Sequence, residues 1–334
     1  MKREKVLVTG GAGFIGSHLV DRLIKGGHTV SIIDDLSGGK KQNINPKAKF
    51  FKIDLRDSVV TEKVIKKIRP ELVFHLAANA AENKAQFSPI DITSRNYNTF
   101  INTLVASLRN GLKRIVVTSS IAVYGALQAP FKETDKPEPE DLYGVSKLAM
   151  EDSLKILSRV HNFEYVITRP HNVYGPRQNM SDPYRNVVTI FMNSLLQNKA
   201  YYVYGDGEQR RCFSYVEDVV NALYRCGFAK VNGVIFNIGA DKDYSINQLS
   251  GVILKVSGKN IRPIHIKDRP QEVKIAISDH GLAKKKLGYK DRTSLYDGIR
   301  ETWKYAQKLG FQKPEYSEVE LLSPKMPINW RLKK

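Results

Sequence analysis

Val6-Leu7-Val8-Thr9-Gly10-Gly11-Ala12-Gly13-Phe14-Ile15-Gly16 decides how this chain is read. A short apolar run breaks into glycines and then becomes a helix-like pattern. Glycine permits a tight turn and a close backbone approach, and a helix start offers unpaired N–H groups at a positive dipole end. Strand, glycine turn and helix in that order form an anion cradle suited to a pyrophosphate. The competing reading is a plain turn. Beyond the glycines, Ile15, Leu19 and Leu23 share one helical face, with Val20 and Ile24 beside them, which predicts a helix from about Phe14 to Lys25.

The same alternation continues. Thr29–Asp34 and Lys49–Asp54 read as strands, and a helix runs through Val64 to Ile68 and stops before Pro70. Leu72–Ala77 is a buried strand, a long helix ends near Gly111, and Arg114–Ser120 is another buried strand. This rhythm predicts an α/β fold: a Rossmann-type, doubly wound parallel sheet with helices on both faces. Past residue 170 the pattern loosens around Pro170, Gly175, Pro176 and Pro183. Helices follow near Tyr184–Gln197, Val216–Gly227, Ile246–Val256 and Leu295–Leu309, with a short strand at Tyr201–Tyr204. Residues 1–170 are expected to form the nucleotide-binding domain, with some later segments returning to it. Residues 171–310 form a smaller C-terminal α/β lobe. Residues 311–334, with Pro314, Pro324 and Pro327, form an extended tail.

Composition narrows the class. The 334 residues are 42% hydrophobic and 26% charged, within the ordinary range for a globular protein. No apolar run approaches the ~18 residues of a membrane span, and the run behind Met1-Lys2-Arg3 is too short for a signal peptide. A cytoplasmic protein without a membrane partner is expected. Cys212 and Cys226 read as reduced thiols, and the seven histidines show no ligand spacing, so no metal site is expected. A net charge of +19 suits phosphorylated substrates, nucleic acid or anionic membranes. The lysines are scattered, however, and runs such as Lys66-Lys67 and Lys284-Lys285-Lys286 sit in helical patterns. A solvated basic surface accounts for them, and no nucleic-acid partner is expected.

Two constellations carry chemistry. Asp34 closes the second strand, 18 residues after Gly16. A carboxylate there accepts both hydroxyls of an adenosine ribose and repels a 2′-phosphate. No arginine follows in Asp35-Leu36-Ser37, so NAD is expected over NADP, with Asp54 and Leu55 bordering the adenine. Tyr143 and Lys147 lie one helical turn apart on one face. An ammonium beside a phenol favours the phenolate, turning a group of pKa ~10 into a usable base. Ser119-Ser120 places hydroxyls at a strand's carboxyl end, where open α/β sheets bind ligands.

These elements occur in order with His75-Leu76-Ala77-Ala78, Val123-Tyr124-Gly125, Arg169-Pro170-His171-Asn172-Val173-Tyr174-Gly175-Pro176, Arg211-Cys212-Phe213-Ser214-Tyr215-Val216-Glu217-Asp218 and Arg269-Pro270. Together they resemble the extended short-chain dehydrogenase/reductase superfamily, in particular its nucleotide-sugar epimerases of the UDP-galactose 4-epimerase type, over residues 3–309. The resemblance implies an NAD-dependent 4-epimerase that interconverts UDP-glucose and UDP-galactose through a 4-keto sugar. Gly10, Gly13 and Gly16, with Phe14 and Ile15, cradle the cofactor; Ala77 and Ala78 lie close beneath it, and Asn96 faces the site. Tyr143 is implied as base and acid, Lys147 as its electrostatic partner and Ser120 as the hydroxyl that orients the proton. Asn172, Asn186, Arg211 and Arg269 are implied to bind the substrate's diphosphate side, and Tyr204, with Gly205, its uracil. Ala276 is implied to border C2 of the hexose, where a small residue admits UDP-GlcNAc. Relatives pair through the long helix before Gly111 and the Tyr143 helix, which implies a homodimer.

Rival readings remain. Dehydratases and decarboxylases of the superfamily carry acids just after the strand-end hydroxyl, whereas Ser120-Ile121-Ala122-Val123-Tyr124 has none. Asn79-Ala80-Ala81-Glu82-Asn83-Lys84 departs from the usual family sequence, which points to an unusual substrate, and Glu82 is read as a surface charge. A non-catalytic NAD- or RNA-binding protein is the alternative of another class; the Ser120/Tyr143/Lys147 set argues against it.

Overall fold

The computed structural model describes residues 3–184, 186–268, 273–317 and 319–327. Arg269 and Pro270 lie outside the described residues. In order, the described elements of the first half are β1 (Lys5–Thr9), α1 (Phe14–Lys25), β2 (Thr29–Ile33), β3 (Lys49–Phe51), α2 (Ser58–Ile68), β4 (Leu72–His75), α3 (Pro89–Thr93), α4 (Thr99–Arg109), β5 (Arg114–Thr118), α5 (Leu142–His161) and β6 (Glu164–Pro170). Later come α6 (Val187–Leu196), α7 (Val216–Phe228), β7 (Val234–Ile238), α8 (Ile246–Ser257), α9 (Gly281–Leu287) and α10 (Leu295–Leu309), with short two- and three-residue strands between them.

The seven strands form one sheet in the order β7-β6-β5-β4-β1-β2-β3, every pair parallel. The register explains the two cores. Val8, Phe74, Val116 and Val166 face one another across successive strands and join α1 and α7 on one side. Leu7, Val73, Ile115 and Ile167 point to the other side, against α2, α4 and α5. Strand direction alternates side chains with period two, so buried strands on a two-sided sheet read as continuous apolar runs. The chain leaves β1 toward β2 on one side and reaches β4 on the other. The reversal therefore falls between β1 and β4, where ligands of open α/β sheets bind.

Several sequence readings shift. The second, third and fifth strands end at Ile33, Phe51 and Thr118, short of Asp34, Asp54 and Ser120. The fourth strand ends at His75 because the Thr9 hydroxyl accepts the N–H groups of Leu76 and Ala77, at 3.2 and 3.3 Å. The long helix before Gly111 is interrupted by a π-helical turn at Ser94–Asn98. There Asn96 donates to the Ile92 carbonyl at 2.7 Å and Thr99 to that of Arg95 at 2.7 Å, a side-chain competition that disturbs the regular ladder. Helix α6 begins at Val187 rather than near Tyr184, because Asn186 holds a positive φ of 63° and caps the helix by accepting the Val188 N–H.

The lobe rests on α6, α8 and α10, whose Phe191, Leu249 and Trp303 belong to the same apolar cluster as Val8 and Phe74. One core thus runs from the sheet into the lobe. Among the described residues no helix is long and apolar enough to cross a membrane, and no group of three or more His, Cys, Asp or Glu side chains could hold a metal ion.

Candidate active site

A cleft of about 990 Å³ opens at the carboxyl ends of β1, β2, β4 and β5 and is closed on the far side by the lobe. Its floor is the glycine turn. Gly10 sits at φ +70°, and a Cβ there would stand 2.8 Å from the Ala77 nitrogen. A Cβ on Gly16 would stand 2.2 Å from the Gly10 carbonyl oxygen. The turn can fold tightly against β4 only without side chains at these positions. Gly10, Gly13, Phe14, Ile15, Gly16, Ala77 and Ala78 all line the cleft, and the first turn of α1 points into it. These residues fit a dinucleotide: a bare backbone floor, a helix start for the pyrophosphate and a carboxylate at the second strand's end.

That carboxylate is Asp34. It is buried and accepts the Ala12 and Leu36 N–H groups at 3.0 and 2.8 Å, which fixes its plane against the turn. Burial raises its pKa, and the backbone donors oppose the rise. Asp54 and Leu55 line the same end, Asp54 paired with Arg56. An arginine does approach this end, though not from the next residues in sequence. Arg95 reaches Asp35 at 2.9 Å and the Ser37 hydroxyl at 3.0 Å, while its Nε holds Asp91 at 2.7 Å. Two carboxylates already claim that guanidinium, so it is not a ready partner for a 2′-phosphate.

Asn96 lies elsewhere. It is fully buried, with its amide donating to the Asn79 and Ile92 carbonyls, and it shapes the loop under the cleft rather than lining it.

Tyr143 and Lys147 enter from α5. Asp141 caps this helix by accepting the Gly144 N–H at 2.8 Å, so Tyr143 and Lys147 sit in its first two turns. Lys147 is buried; its Nζ lies 5.6 Å from the centre of the Tyr143 ring and donates to the Thr118 carbonyl at 2.9 Å. Burial pushes its pKa down to about 7. Ser120 lines the cleft, its Oγ accepting the Ala122 N–H at 3.1 Å as the cap of a short 3₁₀ turn. Below, His75 is bonded to the Thr9 hydroxyl at 2.9 Å, and burial, aided by the Lys147 charge, pushes its pKa down to about 3. It is a neutral support, not an acid.

One buried network escaped the sequence reading. Glu151 accepts the Ser119 hydroxyl at 2.6 Å and a two-pronged contact from Arg169 at 2.9 and 2.6 Å. Arg169 in turn lies 4.6 Å over the Tyr124 ring. The signal was present: Tyr143, Lys147 and Glu151 fall at i, i+4 and i+8, one stripe of one helix.

From the lobe, Asn172, Asn186, Tyr204 and Arg211 line the cleft, with the N-terminus of α6 opening beside Asn186. Arg211 donates to the Arg210 and Lys274 carbonyls at 2.9 and 3.3 Å. Ala276 does not touch the main cleft. It lines an adjoining hollow of about 130 Å³ shared with Ser120, Asn172 and Arg211, and pairs in register with Arg211. Glu82 is exposed, as read, yet it lines both chambers. Arg269 lies outside the described residues.

The model of the NAD dependent epimerase/dehydratase family matches residues 6–239. The chain belongs to this family. It is 38% identical over 297 residues, 88% of this chain and 96% of the relative, to a putative UDP-glucose 4-epimerase of Methanocaldococcus jannaschii. Its fold is similar to the UDP-glucose 4-epimerase of Thermotoga maritima solved with UDP-glucose, with a TM-score of 0.88 and 35% identity over 91% of this chain and 99% of that one. It is also similar to the UDP-N-acetylglucosamine 4-epimerase of Methanobrevibacter ruminantium, with a TM-score of 0.85 and 34% identity over 91% and 98%. The chain is thus an extended short-chain dehydrogenase/reductase of the nucleotide-sugar epimerase kind, and its cofactor is NAD.

Proposed function

We propose that this chain is a UDP-sugar 4-epimerase that interconverts UDP-glucose and UDP-galactose and also accepts the N-acetyl pair. The carrying observation is the placement of Tyr143, Lys147 and Ser120 in the same cleft as the glycine cradle and Arg211. The segment after Ser120 holds Ala122, Val123 and Tyr124 as buried side chains and itself offers no carboxyl group for an elimination. That favours epimerisation over dehydration or decarboxylation.

NAD, when bound, supplies the two-electron acceptor and donor for C4 of the sugar. Tyr143 as phenolate takes the proton of the C4 hydroxyl and later returns it. Lys147 stabilises that phenolate by its charge, held in place by the Thr118 carbonyl. Ser120 orients the hydroxyl. Arg211 and the start of α6 anchor the diphosphate, leaving the hexose free to turn and present its other face. Arg269 is assigned to the same anchor from the family pattern.

The test is incubation with UDP-, GDP-, dTDP- and CDP-sugars, without added NAD, followed by NMR. UDP-glucose and UDP-galactose are expected to interconvert, and the reading fails if no nucleotide sugar is epimerised. Tyr143→Phe is expected to lower kcat by about 10²–10⁴-fold; near-normal turnover would remove Tyr143 from its role. Ala276→Tyr, filling the smaller hollow, is expected to lower the UDP-GlcNAc to UDP-glucose ratio of kcat/KM. The exposed apolar side chains Val145, Ile156 and Val160 of α5, with Val105 of α4, support a homodimer through these helices. Sedimentation at working concentration checks it.

A further inference from the structure

The tail beyond α10 does not trail into solvent. On the lobe side, Asn193 donates to the Gln312 carbonyl at 2.7 Å and accepts its N–H at 3.0 Å, and the Glu315 N–H reaches the Ser181 carbonyl at 2.8 Å. In the middle, Ser317 exchanges hydrogen bonds with the Tyr184 hydroxyl and accepts the Lys84 ammonium on its Oγ at 2.6 Å. On the sheet side, Glu320 and Leu321 donate to the Phe87 carbonyl, and the Glu320 carboxylate accepts the Ile90 and Asp91 N–H groups at 2.7 and 2.8 Å. Met326 is then buried in the apolar cluster that contains Ala122 and Tyr143. Glu315, Tyr316 and Ser317 line the cleft itself, and Pro327 the adjoining hollow.

The segment therefore spans from the lobe to the nucleotide-binding side at the end of the cleft that holds Tyr143. It also seats Lys84, a cleft-lining cation that is 5% exposed and lies 5.4 Å over the Tyr184 ring. Among the described residues no carboxylate pairs with it. The solved relatives named above are covered over 98–99% of their length but cover only 91% of this chain.

A reaction that lets its keto intermediate turn needs loose contacts at the sugar, and loose contacts invite escape. We propose that residues 312–317 and 319–327 belong to a strap built into the active site, walling its sugar end and retaining the 4-keto sugar until the hydride returns; this rests on the 4-epimerase reading. In the forward half-reaction the C4–H and O–H bonds break, the hydride goes to NAD⁺ and the proton to Tyr143. A ketone that leaves at that point carries the oxidation away. It strands reduced nicotinamide on the enzyme, which then cannot turn over.

The test compares the full chain with one ending at Gln312, and with full-length Glu320→Gln and Met326→Ala, using UDP-glucose as probe. The full chain is expected to epimerise with its nicotinamide remaining oxidised. The shortened chain is expected to stall, accumulating the near-ultraviolet absorbance of reduced nicotinamide and releasing a UDP-sugar that hydrazine traps. Its turnovers before stalling should fall on the order of tenfold, as expected when about 1.4 kcal/mol of retention is lost. The point variants are expected to stall in the same way, more weakly, and they decide the matter if the shortened chain does not fold. Stall-free turnover by a folded shortened chain, or by both point variants, overturns the strap. A full chain that epimerises no UDP-sugar overturns the functional reading instead.

Discussion

Glu151 and Arg169 place opposite charges where the side chains are 0% and 1% exposed. Such a pair adds little net stability over an apolar pair of equal size, but losing one partner strands a buried charge. Glu151→Ala is therefore expected to cost about 3–5 kcal/mol, read from urea unfolding. The Ser119 hydroxyl loses its acceptor in the same variant. Lys147 gives a pH signature. Its folded pKa, pushed down to about 7, lies below the ~10.4 of a free lysine. Between these values the unfolded chain holds more protons than the folded one, so stability rises with pH across that window. Below about pH 7 the penalty of charging the buried amine is carried in full. Lys147→Met is expected to flatten the rise, measured as urea midpoints from about pH 6 to about pH 10 on protein stripped of NAD.

Helix α5 is the element that carries the proposed base and its partner. Its N-cap, Asp141, fixes the turn that carries Tyr143, and its next turns carry Lys147 and Glu151. Removing a capping carboxylate typically costs ~1 kcal/mol. Asp141→Ala should show that loss in thermal unfolding, together with a lower kcat, because fraying at this end displaces the phenol. The first strand, turn and helix form the second such element. There, periodicity alone places α1 at Phe14–Lys25, because its apolar stripe and its glycine boundary are both local. The π-helical turn at Ser94–Asn98 was not legible: it depends on Asn96 finding the Asn79 carbonyl across a loop.

Across the whole molecule, the sheet and lobe share one apolar cluster, running from Val8 through Tyr174 and Tyr215 to Trp303. Two lobes with separate cores can melt separately, whereas a shared core couples them. Unfolding in urea is expected to give coincident transitions by far-ultraviolet dichroism and tryptophan fluorescence. With Trp330 replaced by Phe, Trp303 alone reports the lobe by fluorescence and the dichroism reports the whole fold. Two resolved transitions would show the cluster to be divisible.

The sequence by itself determined the cradle, Asp34, the Tyr143/Lys147 pair and the parallel sheet. Each is written in neighbouring residues: a glycine where φ must be positive, a helical spacing, an apolar strand bounded by turns. Only the tertiary structure decided what meets across long separations. Arg95 faces Asp35 across 60 positions, and Lys84 faces Ser317 across 233. No local pattern encodes such contacts. They follow from how the sheet twists, how the lobe seats on it and where a tail of modest apolarity finds hydrogen-bond partners, and that is settled by packing the whole chain at once.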